Sequence, residues 1–170
     1  MSNMPVKKAR DWNTNDQKSG YCGFVTAFDI DSEFLSQYEL YTVGSSQHQE
    51  YWIPAKELGL FNSAIAGRIE IVEGYFGMQF TGFVPDELGV KGKNAIDQFN
   101  VLRSLLDYAP FDLSCETSAN RKAFFVNYLF WAAHDFTNVG ITNAQRDDCL
   151  KQIRNYWIFN KIPVPLPDVR

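Results

Sequence analysis

Histidine and cysteine are scarce in this chain, and basic residues are outnumbered. Only two histidines and three cysteines occur among 170 residues. The cysteines Cys22, Cys115 and Cys149 are far apart and form no CxxC pair, the arrangement that small metal sites commonly use. We therefore predict no metal site and reduced thiols. The net charge of −4 disfavours nucleic-acid partners, because phosphate contacts need clustered Lys and Arg.

Long hydrophobic runs are also lacking. No stretch approaches the ~20 apolar residues of a membrane span. The first ten residues have no apolar core of the kind that a secretory signal needs. We therefore predict a soluble, cytoplasmic protein without a membrane partner.

Apolar and aromatic residues, in contrast, are plentiful at 45% and 15% of the chain, enough to form a packed core. The pattern predicts an α+β fold, with a small strand-rich N-terminal half packed with a C-terminal bundle of about three helices. The predicted divisions are a polar segment at residues 1–20, a strand-rich α+β unit at 21–82 and a helical unit at 83–170. The glycine-rich stretch 77–92 lies at the boundary, where the apolar period changes from two to 3.6.

In the N-terminal half, residues 1–20 are polar and have the composition of a loop. Runs of aromatic and β-branched residues predict strands, and apolar residues at helical spacing predict one helix. The predicted strands are 21–30, 40–43, 50–53 and 68–76; the helix is 55–66, with Gly67 as its C-terminal cap, and 32–38 is a short helix or turn.

In the C-terminal half, apolar residues recur at helical spacing. Predicted helices cover 94–106 and 119–136, and a third begins at Thr142, which with Gln145 has capping-box spacing. Asp112, Cys115 and Glu116 are interpreted as a polar loop. The tail 163–167 has alternate prolines and is predicted to be an extended strap.

Two stretches contain residue types that are used in binding or catalysis. Gly89–Lys93 superficially resembles a phosphate-binding loop but lacks its spacing, which favours a turn before a capped helix. In His48-Gln49-Glu50-Tyr51-Trp52, a carboxylate at a strand entrance is flanked by a histidine and by rings that can stack on a planar ligand. We take Glu50 as the candidate catalytic residue and His48, Tyr51 and Trp52 as candidate ligand-binding residues. An ordinary exposed glutamate at a strand end is the alternative.

The sequence from Ala9 to Val72 carries a resemblance. The runs ARDWNTND, SGYCGFVTAFDID, LSQYELYTVGSSQHQEYWIPAKEL and FNSAIAGRIEIV resemble small bacterial proteins labelled as the ADP-ribosylation/crystallin family. The resemblance implies an ADP-ribosyltransferase-like sheet, with Glu50 orienting the nicotinamide ribose of NAD. It covers about a third of the chain and begins only at Ala9. The family's preceding segment, with an Arg-Pro-Val strand and a Pro-Ile-Phe-Tyr-Pro strand of the NAD pocket, has no counterpart here.

Two functions follow as hypotheses. The first is a non-catalytic binding or interaction protein on an ADP-ribosyltransferase-like scaffold, with a protein partner or a second copy of itself. The alternative is an NAD-dependent ADP-ribosyltransferase-like enzyme, or an ADP-ribose binder, that uses Glu50. We favour the first, because chemistry needs a complete set of reacting groups and the sequence shows one candidate carboxylate.

Overall fold

The computed structural model describes residues 4–43 and 49–168 of the chain. It contains both α-helices and β-strands, so the mixed α and β class is correct. The chain forms two compact units, Met1–Tyr75 and Phe76–Arg170, which we call the N-terminal unit and the C-terminal unit. No helix in the described ranges combines the length and apolar character that crossing a membrane requires.

The N-terminal unit alternates strands with short helical segments. Its elements in chain order are α1 (Met4–Lys7), a π-turn (Lys8–Trp12), two 3-10 turns (Asn13–Asn15 and Gln17–Ser19), β1 (Cys22–Ile30), α2 (Ser32–Leu35), β2 (Leu40–Thr42), β3 (Gln49–Tyr51), a 3-10 turn (Ala55–Glu57), α3 (Leu58–Ser63) and β4 (Ile65–Phe76).

The prediction of a loop over residues 1–20 is wrong for its described part, which is mostly helical turns. Polar side chains of this segment bond to its own backbone and so support the turns. Asp16 accepts hydrogen bonds from the backbone N–H groups of Lys18 and Ser19, and Asn15 Nδ2 donates to the Asp11 carbonyl at 2.9 Å. The same residue types that form loops also cap short helices.

In the part of the chain that the structure describes, β1 pairs with β4 and β2 pairs with β3, which gives two small two-stranded sheets. The Asp31 N–H donates to the Ala64 carbonyl at 3.0 Å, where β1 has ended and β4 is about to begin. This pairing explains why the helix predicted at 55–66 already ends at Ser63. Gly67, predicted as its cap, lies inside β4 with φ +75°.

The N-terminal unit has little buried interior. Among its described residues, only Ala9 and Gly23 are buried, and they pack directly on each other. A half-exposed aromatic cluster supports the other end of β1, where the Phe28 and Phe61 rings meet edge to face at 5.7 Å and Phe34 lies 6.2 Å from Phe61. Two-stranded sheets need further packing to be stable alone, so this unit depends on small local clusters.

The C-terminal unit is a helical unit with a well-packed core. Its elements are a 3-10 turn (Leu88–Val90), α4 (Ala95–Tyr108), α5 (Pro110–Ala119), α6 (Arg121–Ala133), a 3-10 turn (Thr137–Val139) and α7 (Asn143–Phe159). Phe99, Leu102, Phe124, Trp131 and Ile153 are fully buried at its centre.

Four long helices occur here, where the sequence predicted about three. The interpretation of Asp112, Cys115 and Glu116 as a polar loop is wrong, because all three lie in α5. Pro110 stands at its first turn, where a missing N–H costs nothing. The polar composition of α5 hides its helical period. Helix α6 begins at Arg121 instead of the predicted 119, because Asn120 separates it from α5, and it ends at Ala133 instead of 136.

The other predicted helix starts are confirmed. Asn94 Oδ1 accepts a hydrogen bond from the Asp97 N–H and caps α4, and Thr142 and Gln145 form the expected capping box on α7. The proline-rich tail contains neither helix nor strand in its described residues. It is held by Trp157 Nε1, which donates to the Val164 carbonyl at 2.6 Å, and its Leu166 is buried in the core.

Candidate functional site

The candidate site lies on the antiparallel pair β2 and β3. Tyr41 faces Glu50 across the pair, between the neighbouring pairs Leu40 with Tyr51 and Thr42 with Gln49. Side chains alternate between the two faces of a strand, and residues directly opposite each other share a face. Tyr41 and Glu50 therefore lie on one face, and Leu40 and Tyr51 on the other.

Trp52 belongs to the Glu50 face. Its indole packs on the Tyr41 ring with centroids 5.3 Å apart and the planes tilted by 35°. Trp52 is nevertheless 66% exposed and Tyr41 42% exposed, so one side of the stacked pair is open to solvent. Two large rings are thus held together at the surface.

Glu39 completes this face. Its Oε2 accepts a hydrogen bond from the Tyr41 hydroxyl at 2.8 Å, and this bond to a carboxylate raises the pKa of Tyr41. Glu39 immediately precedes β2, and this hydrogen bond places its carboxylate at the edge of the Tyr41 ring. We call Glu39, Tyr41, Glu50 and Trp52 together the acidic aromatic face.

The acidic aromatic face has no basic neighbour in its own strands. Residues 39–53 contain no Lys or Arg. In the described residues, no cation lies within ion-pair distance of Glu39 or Glu50, and no side-chain hydrogen bond reaches the Glu50 carboxylate. The next basic residue along the chain, Lys56, pairs loosely with Glu57 at 3.9 Å. The face therefore combines two carboxylates with two aromatic rings.

The structure brings together only part of the predicted set. Glu50 is half-buried and shares its face with Trp52, whereas Tyr51 points to the opposite face. His48 lies outside the described residues. Sequence reasoning missed Glu39 and Tyr41, although the i, i+2 spacing of Glu39 with Tyr41 and of Glu50 with Trp52 was a signal available before the register was known.

A second carboxylate of interest is Glu116 in α5, which is 4% exposed. Its Oε1 accepts a hydrogen bond from the Gly89 N–H at 2.6 Å, and its Oε2 accepts one from Asn120 Nδ2 at 2.9 Å. Burial raises its pKa, while these hydrogen bonds partly oppose the rise. Glu116 thus anchors the 3-10 turn Leu88–Val90, which confirms a turn before a capped helix at this point.

His134 packs against two phenylalanine rings. Its ring stacks on Phe130 at 4.8 Å and meets Phe136 edge to face at 4.7 Å. Burial lowers the pKa of its imidazole, and its Nε2 has no hydrogen-bond partner among the described residues. Across residues 4–43 and 49–168, no three His, Cys, Asp or Glu side chains are grouped so as to hold a metal ion.

A groove of about 390 Å³ lies beside α7, lined by Tyr128, Asp147, Leu150, Lys151, Arg154 and Asp168. The Arg154 guanidinium of this groove is already bonded to the C-terminal tail. It donates to the Pro167 carbonyl at 2.6 Å and pairs with Asp168 at 3.2 Å. The same guanidinium lies 5.3 Å from the centre of the Tyr128 ring. The tail therefore forms part of the wall of this groove and is bonded to its arginine.

Comparison with known proteins adds no relative: no family model, no curated protein and no solved structure matches this chain.

Proposed function

We propose that this protein is a non-catalytic binding protein, built on an ADP-ribosyltransferase-like scaffold, that docks a protein partner on the acidic aromatic face. The observation that supports this most is the stacked pair of Tyr41 and Trp52, of which Trp52 is 66% exposed. Exposed tryptophan is costly to leave in water. Trp and Tyr are also the residues most enriched among those whose loss from an interface costs ~2 kcal/mol or more.

The composition of the face favours binding over catalysis. A transfer reaction needs a nucleophile or base, a positioning group and stabilisation of developing charge, arranged within reach of one reacting atom. In the described part of the face, Glu50 is accompanied by Glu39 and two rings, and neither ring supplies a base. Two carboxylates on one face also repel the pyrophosphate of NAD, because phosphate sites in proteins use cations or helix N-termini.

The alternative function is supported by one observation. Glu50 and Trp52 share a face, so a planar base stacked on the indole would place its ribose near the carboxylate. This is the arrangement that an NAD-dependent ADP-ribosyltransferase-like enzyme or an ADP-ribose binder would use. Calorimetric titration with NAD and with ADP-ribose separates the two functions. We expect no heat of binding, whereas binding weakened by Glu50→Gln would support the nucleotide site instead.

The docking proposal itself is tested by photo-crosslinking in cells of the host of origin. A photoreactive phenylalanine analogue at position 52 should give discrete protein adducts. The matched control carries the same analogue in place of Tyr108, which is 89% exposed in the C-terminal unit. Adducts from both positions alike, or from neither, would contradict a specific docking role for the face.

A further inference from the structure

The partner chemistry can be inferred from the charges around the stacked rings. Glu50 lies directly opposite Tyr41 in the strand pair. The Glu39 carboxylate accepts the hydrogen bond of the Tyr41 hydroxyl, and the Trp52 indole packs on the Tyr41 ring. Both carboxylates and the indole therefore meet at Tyr41. We propose that the acidic aromatic face binds a cationic side chain, an arginine or lysine within a basic segment of the partner protein. This inference rests on the proposed docking function.

The open side of the Trp52 indole is a surface that attracts a cation. A guanidinium or ammonium group is attracted to the face of an aromatic ring, and tryptophan attracts it most strongly. Tyr41 packs on one side of the Trp52 indole, yet Trp52 as a whole is 66% exposed. The other face of the ring is therefore available. Stacking also suits the planar guanidinium, which loses little hydration when it packs on a ring.

The two carboxylates, Glu39 and Glu50, are placed to pair with the same cation. Side chains directly opposite each other in an antiparallel pair are ~5 Å apart, and those two residues apart on one strand are ~7 Å apart. Glu50 is paired opposite Tyr41 and Glu39 is bonded to the Tyr41 hydroxyl, so a cation on the open side of the stacked rings has both carboxylates nearby. The bond from the Tyr41 hydroxyl holds the Glu39 carboxylate beside the rings.

Charge complementarity then selects among partners. With two negative charges and no Lys or Arg in residues 39–53, the face repels acidic segments and attracts basic ones. Because both carboxylates remain in contact with water, each ion pair adds modest affinity and is screened by salt. The inferred interaction is therefore specific in sign, fast to form and sensitive to ionic strength.

The test uses the full chain and two short peptides of the same length. One is a Gly-Ser-Arg repeat, and the other replaces each arginine by citrulline, which keeps the shape and removes the charge. Fluorescence anisotropy of labelled peptides gives both dissociation constants. We expect the arginine peptide to bind and the citrulline peptide to bind at least tenfold more weakly. We also expect the arginine affinity to fall as salt is raised.

Two double variants test whether the arginine peptide binds on the acidic aromatic face. The double variant Glu39→Gln/Glu50→Gln keeps the rings and should weaken arginine-peptide binding about tenfold, as expected for two exposed ion pairs. The matched control Glu33→Gln/Glu70→Gln removes two exposed charges elsewhere in the N-terminal unit and should change binding less than twofold. Circular dichroism checks that each variant is folded.

The outcomes separate this inference from the docking function. Equal loss in both double variants, equal binding of both peptides, or no binding of either would overturn the cationic partner. If crosslinks from position 52 persist in that case, the docking function stands and only its chemistry is wrong. If the crosslinks are absent as well, both are wrong.

Discussion

Replacing Asn127 by alanine tests how the C-terminal unit holds the segment that leads into α4. Asn127 is fully buried in α6 and makes three hydrogen bonds. Its Oδ1 accepts from the Phe83 N–H at 2.8 Å, and its Nδ2 donates to the Phe83 carbonyl at 2.9 Å and to Gln98 Oε1 at 3.0 Å. Every polar atom of the amide thus has a partner.

The expected loss of stability in Asn127→Ala follows from these three hydrogen bonds. Each contributes about 1 kcal/mol net, and a buried group left without a partner costs more. We therefore expect Asn127→Ala to lower the free energy of unfolding by about 3 to 4 kcal/mol, a large part of the ~5 to 15 kcal/mol typical of a domain. The control Asn155→Ala makes the same substitution in α7 at an exposed position with one side-chain bond, at 3.2 Å, and should cost less than about 1 kcal/mol.

Urea denaturation followed by the helical circular dichroism signal measures both variants. A double-mutant cycle with Gln98→Ala adds a second check, because Gln98 Nε2 donates to the same Phe83 carbonyl at 3.0 Å. We expect the two losses to be less than additive by about 0.5 kcal/mol or more. A loss at Asn127 no larger than at Asn155, or full additivity with Gln98, would refute the shared network.

Three further predictions concern single groups. Gly82→Ala should lower the melting temperature more than Gly92→Ala: both glycines have positive φ, at +84° and +70°, but only at Gly82 would the new Cβ meet other side chains. Because burial raises the folded-state pKa of Glu116 above 4.5, its contribution to stability is present below that pH and is lost as pH rises through the folded pKa. The stability of the wild type relative to Glu116→Gln should therefore fall as pH rises in urea titrations, and a constant difference would contradict the buried carboxylate. Burial raises the pKa of Cys149 to about 12, so a thiol reagent at pH 8 should label exposed Cys115 in the folded protein and Cys149 only after unfolding, as peptide mass mapping would show.

Elements with strong local signals were predictable from the sequence. The helices α4 and α7 begin at Asn94 and Thr142 because a capping side chain bonds to a backbone N–H three residues away, and both partners are visible in the sequence. The strand β1 was visible as a run of aromatic and β-branched residues between Gly20 and Asp31. The alternating prolines likewise excluded a helix in the tail.

The helix α5 was not predictable in the same way. Its Glu116 reads as a surface residue, yet it is buried because the Gly89 N–H, 27 residues earlier, and Asn120 donate to its carboxylate. The early end of α3 has the same kind of cause, since pairing of β4 with β1 claims the residues that would have extended the helix. Contacts between residues distant in sequence decided both cases.

By itself, the sequence determined the mixed α and β character, the capped helices, the absence of a helix in the proline-rich tail, and a carboxylate two residues before a tryptophan at positions 50 and 52. Only the tertiary structure decided that Tyr41 stacks on Trp52, that Glu39 joins the same face and that Tyr51 leaves it. The physical reason is that capping and periodicity act between near neighbours, whereas the face on which a strand residue lies depends on which partner strand it meets and in which register.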